Sequence, residues 1–212
     1  MRIAILAAGD YPRKAYPKYL MSTADILICC DSALGTALRH GLKPAAVVGD
    51  MDSAGVKMLK NFTGKIVHVS EQDDNDLTKA MHHIVDTYQD IEIITIFGAT
   101  GKHEAHTVGN LSLLMEYERI WKFWERNIDV QIVSDYCTAF AVGQSCALQV
   151  GEGRKVSLFC TDPTLRIHST GLQWPLDEVE FGPWWRATLN RATDDEITLE
   201  MNHDAQVLVI LE

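Results

Sequence analysis

Short, almost continuously apolar runs recur at residues 3–8, 26–30, 45–48, 66–69, 91–97 and 130–134, and this rhythm constrains the fold more than any other feature of the chain. A strand with one wet face alternates polar and apolar residues, whereas a strand covered on both faces reads as an unbroken apolar run. Helical candidates at residues 33–40, 75–88 and 107–124 lie between the runs. Such alternation predicts a parallel sheet with helices on both faces, a Rossmann-like α/β domain. Beyond Asp135 the pattern changes. Runs at 147–150, 156–160, 197–201 and 206–211 are separated by glycine, proline and acidic turns, as in a small all-β sandwich. The expected division is therefore an α/β domain over residues 1–135 and a β-domain over 136–212, with no internal repeat or long linker.

Charge and cysteine usage narrow the function. A net charge of −10 argues against a nucleic-acid partner, which would need a basic stripe. A polyanionic small substrate would instead need a metal ion and a few local cations. The five cysteines, Cys29, Cys30, Cys137, Cys146 and Cys160, are odd in number and lack CxxC spacing, which predicts reduced thiols in a cytoplasmic protein and no zinc site. The apolar start at residues 1–8 is short and stops at Gly9-Asp10-Tyr11-Pro12. It reads as a first strand, not as a signal or a membrane anchor.

Two acidic motifs carry the chemistry. Gly49-Asp50-Met51-Asp52-Ser53 closes the third apolar run. In an extended segment, side chains two residues apart share a face, so Asp50 and Asp52 would converge on one hard cation, Mg²⁺, at the carboxyl end of a strand. Open α/β sheets bind ligands at that edge. Further on, in Gln72-Asp73-Asp74-Asn75-Asp76-Leu77-Thr78-Lys79, Asp74 or Asn75 would cap a helix. Asp76 would then lie in its first turn with Lys79 on the same face, an acid for metal beside a cation for phosphate. A third stretch, residues 97–110, follows an apolar run with Gly98 and Gly101 before a helix, a turn able to present backbone N–H groups to phosphate. Within it, His103 is expected to be exposed and available to phosphate, and His106 to pack or cap.

Taken in order, these motifs resemble those of the thiamine pyrophosphokinase family. The matching elements are Cys30-Asp31-Ser32-Ala33, Pro44 through Ser53, Gln72 through Ala80, Gly98 through Asn110, and Thr170-Gly171-Leu172-Gln173-Trp174. The resemblance implies transfer of pyrophosphate from ATP to the thiamine hydroxyl, giving AMP and thiamine diphosphate, in a homodimer with thiamine sites near the subunit interface. It implies Mg²⁺ on Asp50, Asp52 and Asp76, with Lys79 on the phosphates. Asp31, Gln72, Thr78, Gly98, Gly101, His103 and Asn110 are expected at the nucleotide, and Trp174, Thr188 and Asn190 at thiamine. Two motifs depart from the family pattern. Where the family has Arg-x-Asp-His this chain has His103-Glu104-Ala105-His106, and a Ser-Thr-Ser-Asn pattern appears as Ala187-Thr188-Leu189-Asn190. These departures leave two alternatives open, a pyrophosphokinase acting on a pterin alcohol and a non-catalytic nucleotide or thiamine sensor.

Overall fold

The computed structural model describes residues 1–52 and 56–212, so Ser53 of the first acidic motif lies outside the described residues. The chain divides into two compact units, Met1–Asn110 with Ile128–Asp135, and Leu111–Asn127 with Tyr136–Glu212.

In the first unit the strands are β1 (Arg2–Leu6), β2 (Ile26–Cys30), β3 (Ala46–Gly49), β4 (Lys65–His68), β5 (Ile93–Phe97) and β6 (Asp129–Val133). They pair in parallel in the order β6-β5-β1-β2-β3-β4. Connecting them are α1 (Ala15–Ser22), a 3-10 turn (Asp31–Ala33), α2 (Leu34–Arg39), α3 (Val56–Asn61), α4 (Asp76–Thr87) and α5 (Glu104–Trp121), whose later turns belong to the second unit. Ala4, Leu6, Met21, Cys29, Leu34, Val47, Phe97 and Val133 share one buried core, which is why these runs are almost continuously apolar. The run at 66–69 is the exception: β4 is the edge strand, and Ile66 is largely exposed. Helix α1 has no sequence signature because Lys14 supplies no side-chain cap and Pro17 stands in the first turn. Helix α4 is capped by Asn75, whose Oδ1 accepts from the Thr78 N–H at 2.9 Å.

This strand order positions the site. From β1 the chain moves outward through β2, β3 and β4, then returns to place β5 on the other side of β1. The connections that follow β1 and β5 therefore lead to strands on opposite sides of this pair, a topological switch point, where open α/β sheets hold ligands beyond the carboxyl ends of their strands.

The second unit is antiparallel. Strands β7 (Thr138–Val142), β13 (Val207–Leu211), β9 (Lys155–Cys160) and β11 (Asn190–Arg191) form one sheet, and β10 (Ile167–Thr170), β12 (Glu196–Met201) and β8 (Cys146–Gln149) another. Both sheets feed one core, with Val142, Val156, Leu158, Val207 and Val209 from the first and Leu148, Ile167, Ile197 and Leu199 from the second, so the unit is a sandwich. All five cysteines are free, and no helix among the described residues is long and apolar enough to cross a membrane.

On the solvent side of β10, His168 Nδ1 meets Asp177 Oδ1 at 2.5 Å. That hydrogen bond, and then the charge of Asp177, raise the His168 imidazole above its ordinary value, and the same bond lowers Asp177. The stabilisation is therefore complete below the free histidine value of about 6.5 and is lost as pH rises through the higher folded-state value. We expect His168→Gln to lower the melting temperature at pH 6 and to have no effect at pH 9. An equal penalty at both pH values in thermal melts would assign the residue to packing alone.

Candidate active site

Gly49 ends β3 between two carboxylates. A Cβ built on it would lie 2.6 Å from Asp31 Cβ and 3.1 Å from Asp76 Oδ1, so only glycine lets these acids approach from either side. Asp31 follows β2 and is buried, whereas Asp76 is half-buried in the first turn of α4. Burial pushes the Asp76 carboxyl above the ordinary carboxylate range; Lys79 opposes this, and the charges of Asp31 and Asp50 reinforce it. The sheet edge thus gathers three carboxylates against one ammonium.

Asp50 occupies the next position, but not as the extended geometry predicts. Met51 takes a left-handed conformation (φ 64°), and the chain turns so that the Asp52 N–H donates to Asp50 Oδ1 at 3.2 Å. Asp52 is exposed on this turn instead of continuing a strand face. Gln72 Nε2 donates to Asp50 Oδ2 at 3.1 Å, and this bond, then the one from Asp52, holds the Asp50 carboxyl below its ordinary value, with Lys79 helping. Gln72 and Asp50, distant in sequence, are thereby brought together.

Lys79 is the buried cation of the cluster, its side chain 3% exposed and its Nζ 3.8 Å from Glu71 Oε1. Glu71 is a residue that the motif reading leaves out. Its other oxygen accepts from the backbone N–H groups of Asp73 and Asp74, fixing the acidic loop ahead of α4. No spacing rule points to Glu71, because its role is to bend its own loop. Thr78 is buried, and its backbone N–H serves the helix cap.

At the switch point the β1 and β5 loops meet. Gly9 N–H donates to the Gly98 carbonyl at 2.6 Å, and Asp10 N–H to the Thr100 carbonyl at 2.9 Å. Gly98 (φ 64°) and Gly101 (φ 80°) both take the left-handed conformation, and a Cβ on Gly98 would lie 2.6 Å from the Ala7 carbonyl oxygen. Asn110 Nδ2 donates to the Ala99 carbonyl at 2.7 Å, so this amide fastens the loop to α5. A cavity of about 210 Å³ remains, lined by Gly9, Ser32, Lys102, His103, His106 and Asn110 among others. The turn at Gly9-Asp10 had a sequence signal in the glycine that ends the first apolar run; Lys102 had none.

In the second unit Trp174 is 56% exposed and Trp185 73% exposed. Asn190, buried, spends its amide on the Trp174 backbone, accepting from its N–H at 3.1 Å and donating to its carbonyl at 2.6 Å. Thr188 Oγ1 donates to the Trp185 carbonyl at 2.6 Å. Both polar residues therefore position tryptophan-bearing turns, and Leu189 is exposed in a left-handed conformation (φ 54°) beside them.

Residues 17–124 match the family model for the thiamin pyrophosphokinase catalytic domain, and residues 139–209 match that for the thiamin pyrophosphokinase substrate-binding domain. The chain belongs to the thiamin pyrophosphokinase family. With membership comes the activity, that of a transferase which makes thiamine diphosphate. Solved structures agree on the fold. The thiamine pyrophosphokinase of Bacillus subtilis superposes with a TM-score of 0.78 at 20% identity, covering 100% of this chain and 99% of that one. A thiamin pyrophosphokinase family protein of Enterococcus faecalis gives 0.79 at 18% identity, with 100% and 99% covered. Yeast thiamin pyrophosphokinase gives 0.75 at 15% identity, with 100% and 86% covered. Comparison with curated protein sequences found no match.

Proposed function

We propose that the protein transfers the β,γ-pyrophosphoryl group of ATP to the hydroxyl of thiamine, with Mg²⁺ held at the Asp31, Asp50 and Asp76 edge. The observation that carries this reading is the convergence of those carboxylates and Lys79 around Gly49. Among the described residues no group of three or more His, Cys, Asp or Glu side chains is arranged to hold a metal ion. Mg²⁺ fits nonetheless, because it takes one or two protein carboxylates and fills its remaining positions with phosphate oxygens and water. Asp50 and Asp76 are the first candidates, with Asp52 reaching the same ion from its exposed turn. When bound, the ion neutralises charge on the phosphate oxygens.

The protein's own groups then do the positioning. Lys79 offsets the negative charge of the polyphosphate, Gln72 holds Asp50 in place, Thr78 lies one residue from Lys79, and Gly98, Gly101, His103 and Asn110 shape the nucleotide cavity. The hydroxyl oxygen of thiamine attacks the β-phosphorus, the bond from that phosphorus to the bridging oxygen breaks, and AMP leaves with the electron pair. A carboxylate of this cluster that is not engaged by the ion accepts the hydroxyl proton. Residues 1–135 would serve catalysis and 136–212 thiamine binding and dimerisation. Trp174, whose backbone Asn190 fixes, presents a face to the cationic thiazolium, a contact worth about 0.5–2 kcal/mol. Thr188 holds the neighbouring turn. The exposed Trp174, Trp184, Trp185 and Leu189 favour a homodimer, and the free cysteines favour the cytoplasm.

The acceptor is tested by incubating the protein with Mg²⁺, ATP and either thiamine or a hydroxymethylpterin. We expect AMP and thiamine diphosphate, with kcat/KM for thiamine at least about a hundredfold above that for the pterin. Preference for the pterin would move the protein to that alternative, and nucleotide binding without AMP from either acceptor would make it a sensor.

A further inference from the structure

We infer that Lys102 is the polyphosphate-binding cation of the switch-point cavity, taking over from the loop arginine that this chain replaces with His103. The inference rests on the nucleotide reading above and names a residue that the motifs did not. Lys102 lines the cavity together with His103 and His106, and no carboxylate lines it, in a chain whose net charge is −10. Asp10, whose carboxylate packs against Gly101, does not line the cavity.

Two further features of Lys102 have no packing explanation. Its backbone is left-handed (φ 61°), a conformation that costs energy for a residue with a Cβ and suits glycine. Its ammonium rests on a neutral group, the Ala8 carbonyl at 2.5 Å, at the end of the β1 loop. An exposed lysine gains little from such a bond, whereas a charge-assisted bond to a phosphate oxygen is about twice as strong. The imidazoles of His103 and His106, with ring centroids 5.7 Å apart, add donors on the same wall. The ammonium therefore waits on Ala8 and transfers to the phosphate chain when the nucleotide enters. AMP, which lacks the transferred phosphates, gains less from it than ATP does.

The test compares wild type with Lys102→Gln and Lys102→Gly, measuring binding of ATP and of AMP by calorimetry and steady-state KM for ATP and for thiamine. Lys102→Gly is the informative variant, because glycine relieves the left-handed strain and keeps the loop folded. We expect it to melt at or above the wild-type temperature, yet to bind ATP about tenfold more weakly, with AMP affinity and the thiamine KM changed less than about twofold. Lys102→Gln should show the same ATP-selective loss. Wild-type ATP affinity in both variants, or equal losses for ATP and AMP, would overturn the assignment. Failure of the wild type itself to bind ATP would instead overturn the nucleotide reading.

Discussion

Asp76→Asn should lower turnover by about three orders of magnitude and raise the melting temperature by a few degrees, two changes of opposite sign from one substitution. The activity loss follows from removing a carboxylate from the cluster around Gly49, where a metal ligand and a proton acceptor are both proposed. The gain in stability follows from the direction of its titration. Burial, with Asp31 and Asp50 adding to it and Lys79 opposing, raises the Asp76 carboxyl above its ordinary value, so the folded protein binds the proton more tightly than the unfolded chain does. The ionised form therefore costs stability at neutral pH, and that cost is relieved as pH falls toward the folded-state value. Asparagine keeps the shape without the charge. Kinetics and thermal melts of one preparation check both halves. Unchanged turnover would remove Asp76 from the reaction, and a lowered melting temperature would mean that its charge is needed for folding.

Lys79→Met should be damaging on both counts. The lysine side chain is 3% exposed and faces Glu71, with Asp50 and Asp76 also feeling its charge. Methionine fills the space but leaves these carboxylates uncompensated. Removing one partner of a buried pair is destabilising, and the exposure of Glu71 to solvent moderates the loss. Loss of the Lys79 ammonium should lower turnover by about 10³-fold, with the ATP KM rising more than the thiamine KM. Denaturant titration and steady-state kinetics measure the two effects. Wild-type kcat in a destabilised variant would leave Lys79 a structural role only.

The contrast between these residues and their neighbours shows what a sequence of this kind discloses. Strand β2 coincides with its apolar run, and the helix after Asn75 begins where the cap signal places it, because burial on both faces and N-capping are local demands. Asp31, Asp50, Gln72, Asp76 and Lys79 stood in recognisable motifs, and the parallel sheet order is what brings them to one edge. The Asp50–Asp52 turn was not legible: a left-handed Met51 is set by the surrounding loop and breaks the two-residue periodicity on which a shared face depends. Glu71 acts through hydrogen bonds to its own loop, which leaves no periodic trace. Asn190, expected at thiamine, is buried with its amide on the Trp174 backbone, an engagement that leaves no periodic trace in the sequence. The short α1 and α3 were missed for want of a cap or length.

The central claim is that the carboxylate edge drives pyrophosphoryl transfer, with attack at the β-phosphorus. ATP labelled at that phosphorus tests it directly when mixed with Mg²⁺, thiamine and the protein, and the products separated. The label should leave with thiamine diphosphate while AMP is released unlabelled, and Asp50→Asn and Asp76→Asn should lower both products together. Label retained in ADP beside unlabelled thiamine monophosphate, or product formation undiminished in both variants, would contradict it.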